Sequence, residues 1–190
     1  VLFQLRRYDE FIDAAQIRMI EEPNDASIRY LLGFAYVAVG EYQLAIHVLG
    51  STGLPDTVLQ DKLRTVMEGE AFLTLVNAMS ASDIPEAVEL GQTLGRRFES
   101  EGWWGDIGWI GLFRSCNFSI LGKDDEAMHW LSRIKESPRL RPDPYLRDAW
   151  CFKRFADHPV YQDVIRQQDE QRAALRKRLP KTLETFGVSL

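Results

Sequence analysis

An all-α fold is predicted by three features of this 190-residue sequence. Apolar residues recur three and four positions apart along most of the chain, and no sustained run alternates with period two. Turn-forming residues cut the chain into segments of roughly 12 to 25 residues, the size of paired helices joined by short connections. The sequence also resembles itself at a fixed offset: the stretch Leu5 to Ile12 lines up with Val39 to Ile46, which sets Tyr8 and Tyr42 34 positions apart.

The elements follow in order from the punctuation. Glu22-Pro23-Asn24-Asp25 closes a first helix, and Gly40 separates the apolar segment that begins at Tyr30 from a helix beginning near Tyr42. Gly53-Leu54-Pro55-Asp56, then the stretches 80–85, 102–108, 122–125 and 137–144, mark further breaks. Each break combines glycine or proline with short polar side chains, which compete with the helical backbone for hydrogen bonds. After residue 144 the pattern changes to Tyr145-Leu146, Trp150-Cys151-Phe152 and Phe155, followed by a charged run over 166–181.

The second repeat unit carries Leu32-Gly33, Tyr36, Gly40, Tyr42, Ala45 and Leu49. In these residues the chain resembles the tetratricopeptide repeat (TPR) family. The small residues set how closely helices cross, and Tyr36 fills the gap beside Gly33. Gly69-Glu70-Ala71-Phe72 echoes Gly33 to Tyr36, with a longer interval before Ala87, and Gly122 to Leu131 restores the signature, with Ser115 and Phe118 where Gly33 and Tyr36 sat. Arg29, Phe11 and Arg114 depart from the family pattern. The resemblance implies an α-α superhelix, a solenoid of antiparallel helix pairs over residues 1–137, whose first unit is truncated at its N-terminal side. Residues 138–190 are then capping helices that end the stack with a polar face. This layout is similar to the C-terminal TPR regions of bacterial adenylate cyclases and winged-helix regulators. The chain opens without an initiator Met or a basic-then-apolar leader, which predicts that it begins inside a longer protein.

Composition narrows the function. The chain is 45% hydrophobic and 27% charged, enough for a packed core and unlike collagen, disordered or disulfide-scaffold sequences. Residues 138–190 hold 11 Lys/Arg against 7 Asp/Glu, so the formal charge of -5 divides into +4 there and about -9 over residues 1–137. An acidic body repels phosphates, so direct nucleic acid binding is not expected. The apolar stretch that starts at Tyr30 stops at Glu41, well short of the roughly 20 residues of a membrane span. Cys116 and Cys151 form no C-x-x-C pairing and are expected to be core residues in a reducing, cytoplasmic setting.

No phosphate-binding loop, H-E-x-x-H or G-x-S-x-G motif is present. His47, His129 and His158 fall in separate segments, without ligand spacing, and read as surface or capping residues; no metal or other cofactor is expected. Thiolate and base could pair as Cys151 with His158 or Cys116 with His129, but the sequence supplies no third, orienting group. Asp124-Asp125-Glu126 suits a helix start, and Trp103, Trp104 and Trp109 are expected to pin a loop to the core. The expected function is therefore non-catalytic: a protein-protein interaction scaffold that takes a partner's peptide or helix in the concave groove of the array. The alternative is a regulatory or sensory appendage of a larger signalling protein whose effector domain lies upstream.

Helical spacing opposite Leu32, Gly33 and Tyr36 assigns Tyr30, Phe34 and Val37 to that groove, and alignment adds Val66, Glu70, Leu112, Cys116 and Ser119. If Phe34 lines an open groove, Phe34→Asp weakens partner binding and leaves the melting nearly unchanged. The basic run over 166–181 could instead fold back on the acidic body and occupy the groove itself.

Overall fold

The computed structural model describes residues 5–51, 66–100, 107–134 and 144–185. Among the described residues the protein is all-α, with no strand. The helices are α1 (Tyr8–Glu21), α2 (Ala26–Val39), α3 (Tyr42–Gly50), α4 (Val66–Ala81), α5 (Glu86–Ser100), α6 (Ile107–Ile120) and α7 (Asp124–Ile134). Two short helices, α8 (Pro144–Asp148) and α9 (Trp150–Lys153), lead to the long α10 (Pro159–Thr185). The turns around Gly53 and Gly102 and the pair Trp103 and Trp104 lie outside the described residues, as does the side chain of Trp109.

Among the described residues, helix ends form at the breaks read from residues 22–25, 40, 80–85 and 122–125, while most of the break at 137–144 lies outside them. Asp25 caps α2, its carboxylate accepting the N–H groups of Ser27 at 2.9 Å and Ile28 at 3.3 Å, two of the four donors a helix start leaves unpaired. Gly40 ends α2 in the left-handed region at φ +89°, and Glu41 N–H returns to the Tyr36 carbonyl at 2.8 Å. Gly122 repeats this device at φ +73°, with Lys123 N–H returning to the Phe118 carbonyl at 2.9 Å. The acidic triplet Asp124, Asp125 and Glu126 fills the first turn of α7, where negative charge suits the helix dipole.

Packing follows chain order with one addition. Helix α2 packs on α1, α3 and α4, α4 also packs on α3, α5 and α6, and α6 packs on α5 and α7. The even-numbered helices α2, α4 and α6 thus form a contiguous inner row. The addition is the C-terminal part: α8 lies against α2, α9 against both α4 and α6, and α10 against α7. As a result residues 32–37 of α2 and 71–78 of α4 are buried without interruption, so both helices are covered on every side.

Small residues set the crossings. A Cβ on Gly33 would lie 2.5 Å from Cγ of Leu49 and 2.7 Å from both of its methyl carbons, and Leu49 is itself fully buried in α3. Gly33→Ala is therefore expected to cost about 1–3 kcal/mol through overpacking, read as a lower urea midpoint with an unchanged m-value. At the corresponding crossing of α6 with α7, Ser115 is buried and its hydroxyl donates to the Ala127 carbonyl at 2.7 Å. There a hydrogen bond joins the pair, where in α2 and α3 the Leu49 side chain packs directly on the bare backbone of Gly33.

Candidate functional site

The inner row of α2, α4 and α6 is the face on which the groove residues were placed. Phe34, Leu112, Cys116 and Ser119 lie on it and are buried, Phe34 being only 5% exposed. Phe34, Leu112 and Cys116 share one core with residues of the C-terminal segment 145–155. Tyr30 packs on the rim of this core and is half-buried. Glu70 is also half-buried, and its carbonyl accepts the Thr74 hydroxyl at 2.7 Å. Val37 is placed elsewhere, in a second cluster with Ala15, Leu32, Tyr36, Ala45 and Ala78, where α2 meets its helical neighbours. The side chain of Val66 lies outside the described residues.

What covers the inner face is the chain's own segment 145–155. The ring of Tyr145 lies over Phe34 with centroids 5.0 Å apart, while Tyr8 approaches the same ring edge-on at 6.3 Å. Cys151, near the start of α9, has both backbone groups held by side chains of the inner row. Its N–H donates to Asn77 Oδ1 of α4 at 3.0 Å, and its carbonyl accepts the Ser119 hydroxyl of α6. Its side chain is bonded to Cys116 of α6, with the two Cα atoms 5.5 Å apart. Arg154 then closes over the edge, donating to the Ser119 carbonyl at 2.7 Å and pairing with Asp124. Asn77 and Ser119 are buried, so these bonds satisfy polar groups that would be costly to leave unpaired.

A second anchor joins this segment to the beginning of the chain. The guanidinium of Arg6 grips the buried carboxylate of Asp148 through two nitrogens, with Nε to Oδ2 at 2.8 Å, and the Tyr8 hydroxyl donates to the same Oδ2 at 2.6 Å. Arg6 sits in the left-handed region at φ +60°, a conformation costing about 1–2 kcal/mol for a side-chain-bearing residue and offset here by the bidentate pair. Burial, reinforced by the Asp148 carboxylate, pushes the Tyr8 phenol well above its usual range, and the hydrogen bond to Asp148 raises Arg6. Burial likewise raises Tyr161, whose hydroxyl donates to the Leu146 carbonyl at 3.3 Å.

The disulfide corrects the expectation of two separate core cysteines. Both sulfur-bearing residues are buried, as expected, but they are bonded to each other. Neither is then a thiol, so the pairings of Cys151 with His158 and Cys116 with His129 offer no nucleophile in this state. His47 and His129 are exposed, and His158 Nδ1 accepts the Val160 N–H at 3.2 Å at the start of α10. Among the described residues no cluster of His, Cys, Asp and Glu is arranged to hold a metal ion. Set against known protein families, curated proteins and solved structures, the chain matches none.

The sequence carried two signals of this covered face. Residues 30–39 and 71–79 are apolar around the helix circumference, the pattern of helices buried on all sides. The aromatic-rich stretch 145–155 has too many large apolar residues for a polar cap. Asn77 gave no signal, because a single amide in an apolar helix does not reveal its partner.

Proposed function

We propose that the chain is a non-catalytic, TPR-like protein-interaction module whose inner face binds helical segments and holds one of its own. The observation that carries this reading is the seating of segment 145–155. Two short aromatic-rich helices are gripped there, the first by the tilted ring contact of Tyr145 with Phe34 and the second by side-chain hydrogen bonds to both backbone groups of Cys151. A partner helix with a similar apolar face would use the same contacts, which is recognition of a helix in a groove. The acidic body supports a protein partner over nucleic acid.

The tethered segment competes with any such partner at an effective concentration of about 1 mM, so binding requires its release. That requirement favours the regulatory reading, in which displacing the segment reports partner capture to another part of a signalling protein. No helix among the described residues is long and apolar enough to cross a membrane. A cytoplasmic placement requires the Cys116–Cys151 pair to be reduced there or oxidised only transiently, since such bonds persist mainly in oxidising compartments.

The test is fluorescence anisotropy with a labelled peptide of residues 144–156 in which Ser replaces Cys151. The full chain carrying Cys151→Ser and Asp148→Asn, which loosens the resident segment at both anchors, is expected to bind it saturably. The disulfide-bonded wild type is expected not to bind. A folded double variant that ignores the peptide removes the inner face as a binding site.

A further inference from the structure

Two surfaces remote from the inner face are opposite in charge, and each exposes large apolar side chains. The first is the outer side of α1. Tyr8, Phe11, Ile12, Ala15 and Met19 turn inward, which leaves Ile17 and Ile20 62% and 83% exposed on the opposite side. By helical spacing, Asp13 and Glu21 flank these isoleucines, as does Glu10, whose carboxylate is also paired with Arg7. Isoleucine at that exposure loses the free energy of burial without recovering it inside this chain.

The second surface is the far half of α10. This helix is about 40 Å long at 1.5 Å per residue. Its beginning is held to the body by Tyr161, Val164 and Gln168, but residues 173–178 are exposed without interruption. Leu175 continues the face of Tyr161, Val164 and Gln168 beyond the edge of the body and is 55% exposed. Residues 171–178 carry four basic side chains and no acidic one. Two such tails repel each other, which argues against pairing of α10 with α10.

We propose that these surfaces dock on each other between copies of this chain: the overhanging part of α10 lies along the outer face of α1 in a second copy. Leu175 covers Ile17 and Ile20, while Arg172, Arg176 and Lys177 face the carboxylates beside them. The contact joins the first helix of one copy to the last of another, so it either extends as an open chain or closes as a ring, of which a twofold dimer with two reciprocal contacts is the smallest. It stands independently of the inner-face reading, since none of its residues belongs to that face. A helix-on-helix contact is smaller than a standard stable interface, so the association is weak and salt-sensitive.

The experiment is sedimentation velocity of the full chain, with circular dichroism confirming the fold. The wild type is expected to grow in mass with concentration at low salt and to revert to monomer near about 0.5 M salt, where the Debye length is about 4 Å. Ile17→Lys with Ile20→Lys disables the α1 face, and Leu175→Glu with Arg176→Glu disables the tail. All four positions are exposed, so the fold is retained, and each variant alone is expected to self-associate at least about tenfold more weakly. Mixed at equal concentration, the two variants each keep one intact surface and are expected to form a 1:1 complex and nothing larger. A monomeric wild type at every concentration, continued association of either variant, or a mixture that stays monomeric overturns the proposal. So does a wild type that remains monomeric while binding anionic vesicles through α10.

Discussion

Phe34→Asp is expected to leave the protein unfolded or without fixed tertiary packing at neutral pH. The side chain is 5% exposed and lies between the rings of Tyr8 and Tyr145, so the carboxylate would have no water and no cationic partner in that ring pair. Loss of a buried phenylalanine alone costs about 3–5 kcal/mol. An unpaired buried charge adds several more, against a total stability of about 5–15 kcal/mol for a domain. Phe34→Leu keeps the apolar contact and is expected to cost only about 1–1.5 kcal/mol. Urea unfolding followed by circular dichroism separates the two. This replaces the expectation for an open groove, under which the aspartate would leave the melting unchanged. A wild-type midpoint for Phe34→Asp would mean that segment 145–155 does not cover the inner face in solution.

The second large effect is reduction of the Cys116–Cys151 bond. It closes a loop of sequence separation 35, for which loss of chain entropy in the unfolded state predicts about 3–4 kcal/mol of stabilisation. For a chain of this size that corresponds to a melting temperature lower by about 10 °C in the reduced protein. The double variant Cys116→Ser with Cys151→Ser should match it. Both cysteines are buried, so a reductant reaches the bond only when α9 lifts away from α6. Reduction is therefore expected to be slow in buffer and fast in urea. Finding two alkylatable thiols in unreduced, urea-unfolded protein would show that the pair does not form the bond.

Helix positions were legible because their ends are chemical: Asp25 supplies a cap, and Gly40 and Gly122 adopt a backbone conformation other residues resist. The close approach at Gly33 was legible for a different reason, the absence of a side chain at a helix crossing. Phe34 was placed on the inner face by helical period, and Leu112, Cys116 and Ser119 were added to it by alignment of the repeat units. The period reports which residues share a face, and it is silent about what lies against it. Nothing local links Tyr145 to Phe34, or Asp148 to Arg6 across a separation of 142 residues, since such pairings are fixed only by the finished fold. The disulfide was hidden likewise: spacing along the chain says nothing of whether two Cα atoms come within bonding range.

The C-terminal position of the segment that covers the inner row also has a consequence for synthesis. Helices α2, α4 and α6 leave the ribosome in order and can pair with their neighbours as they emerge, but α8 and α9 follow only after residue 143. At a translation rate of about 5–20 residues per second, the growing chain carries an uncovered apolar strip for several seconds. During that interval the nascent protein is a substrate for any chaperone that binds exposed hydrophobic surface, and a ribosome stalled before residue 145 would leave the strip permanently open.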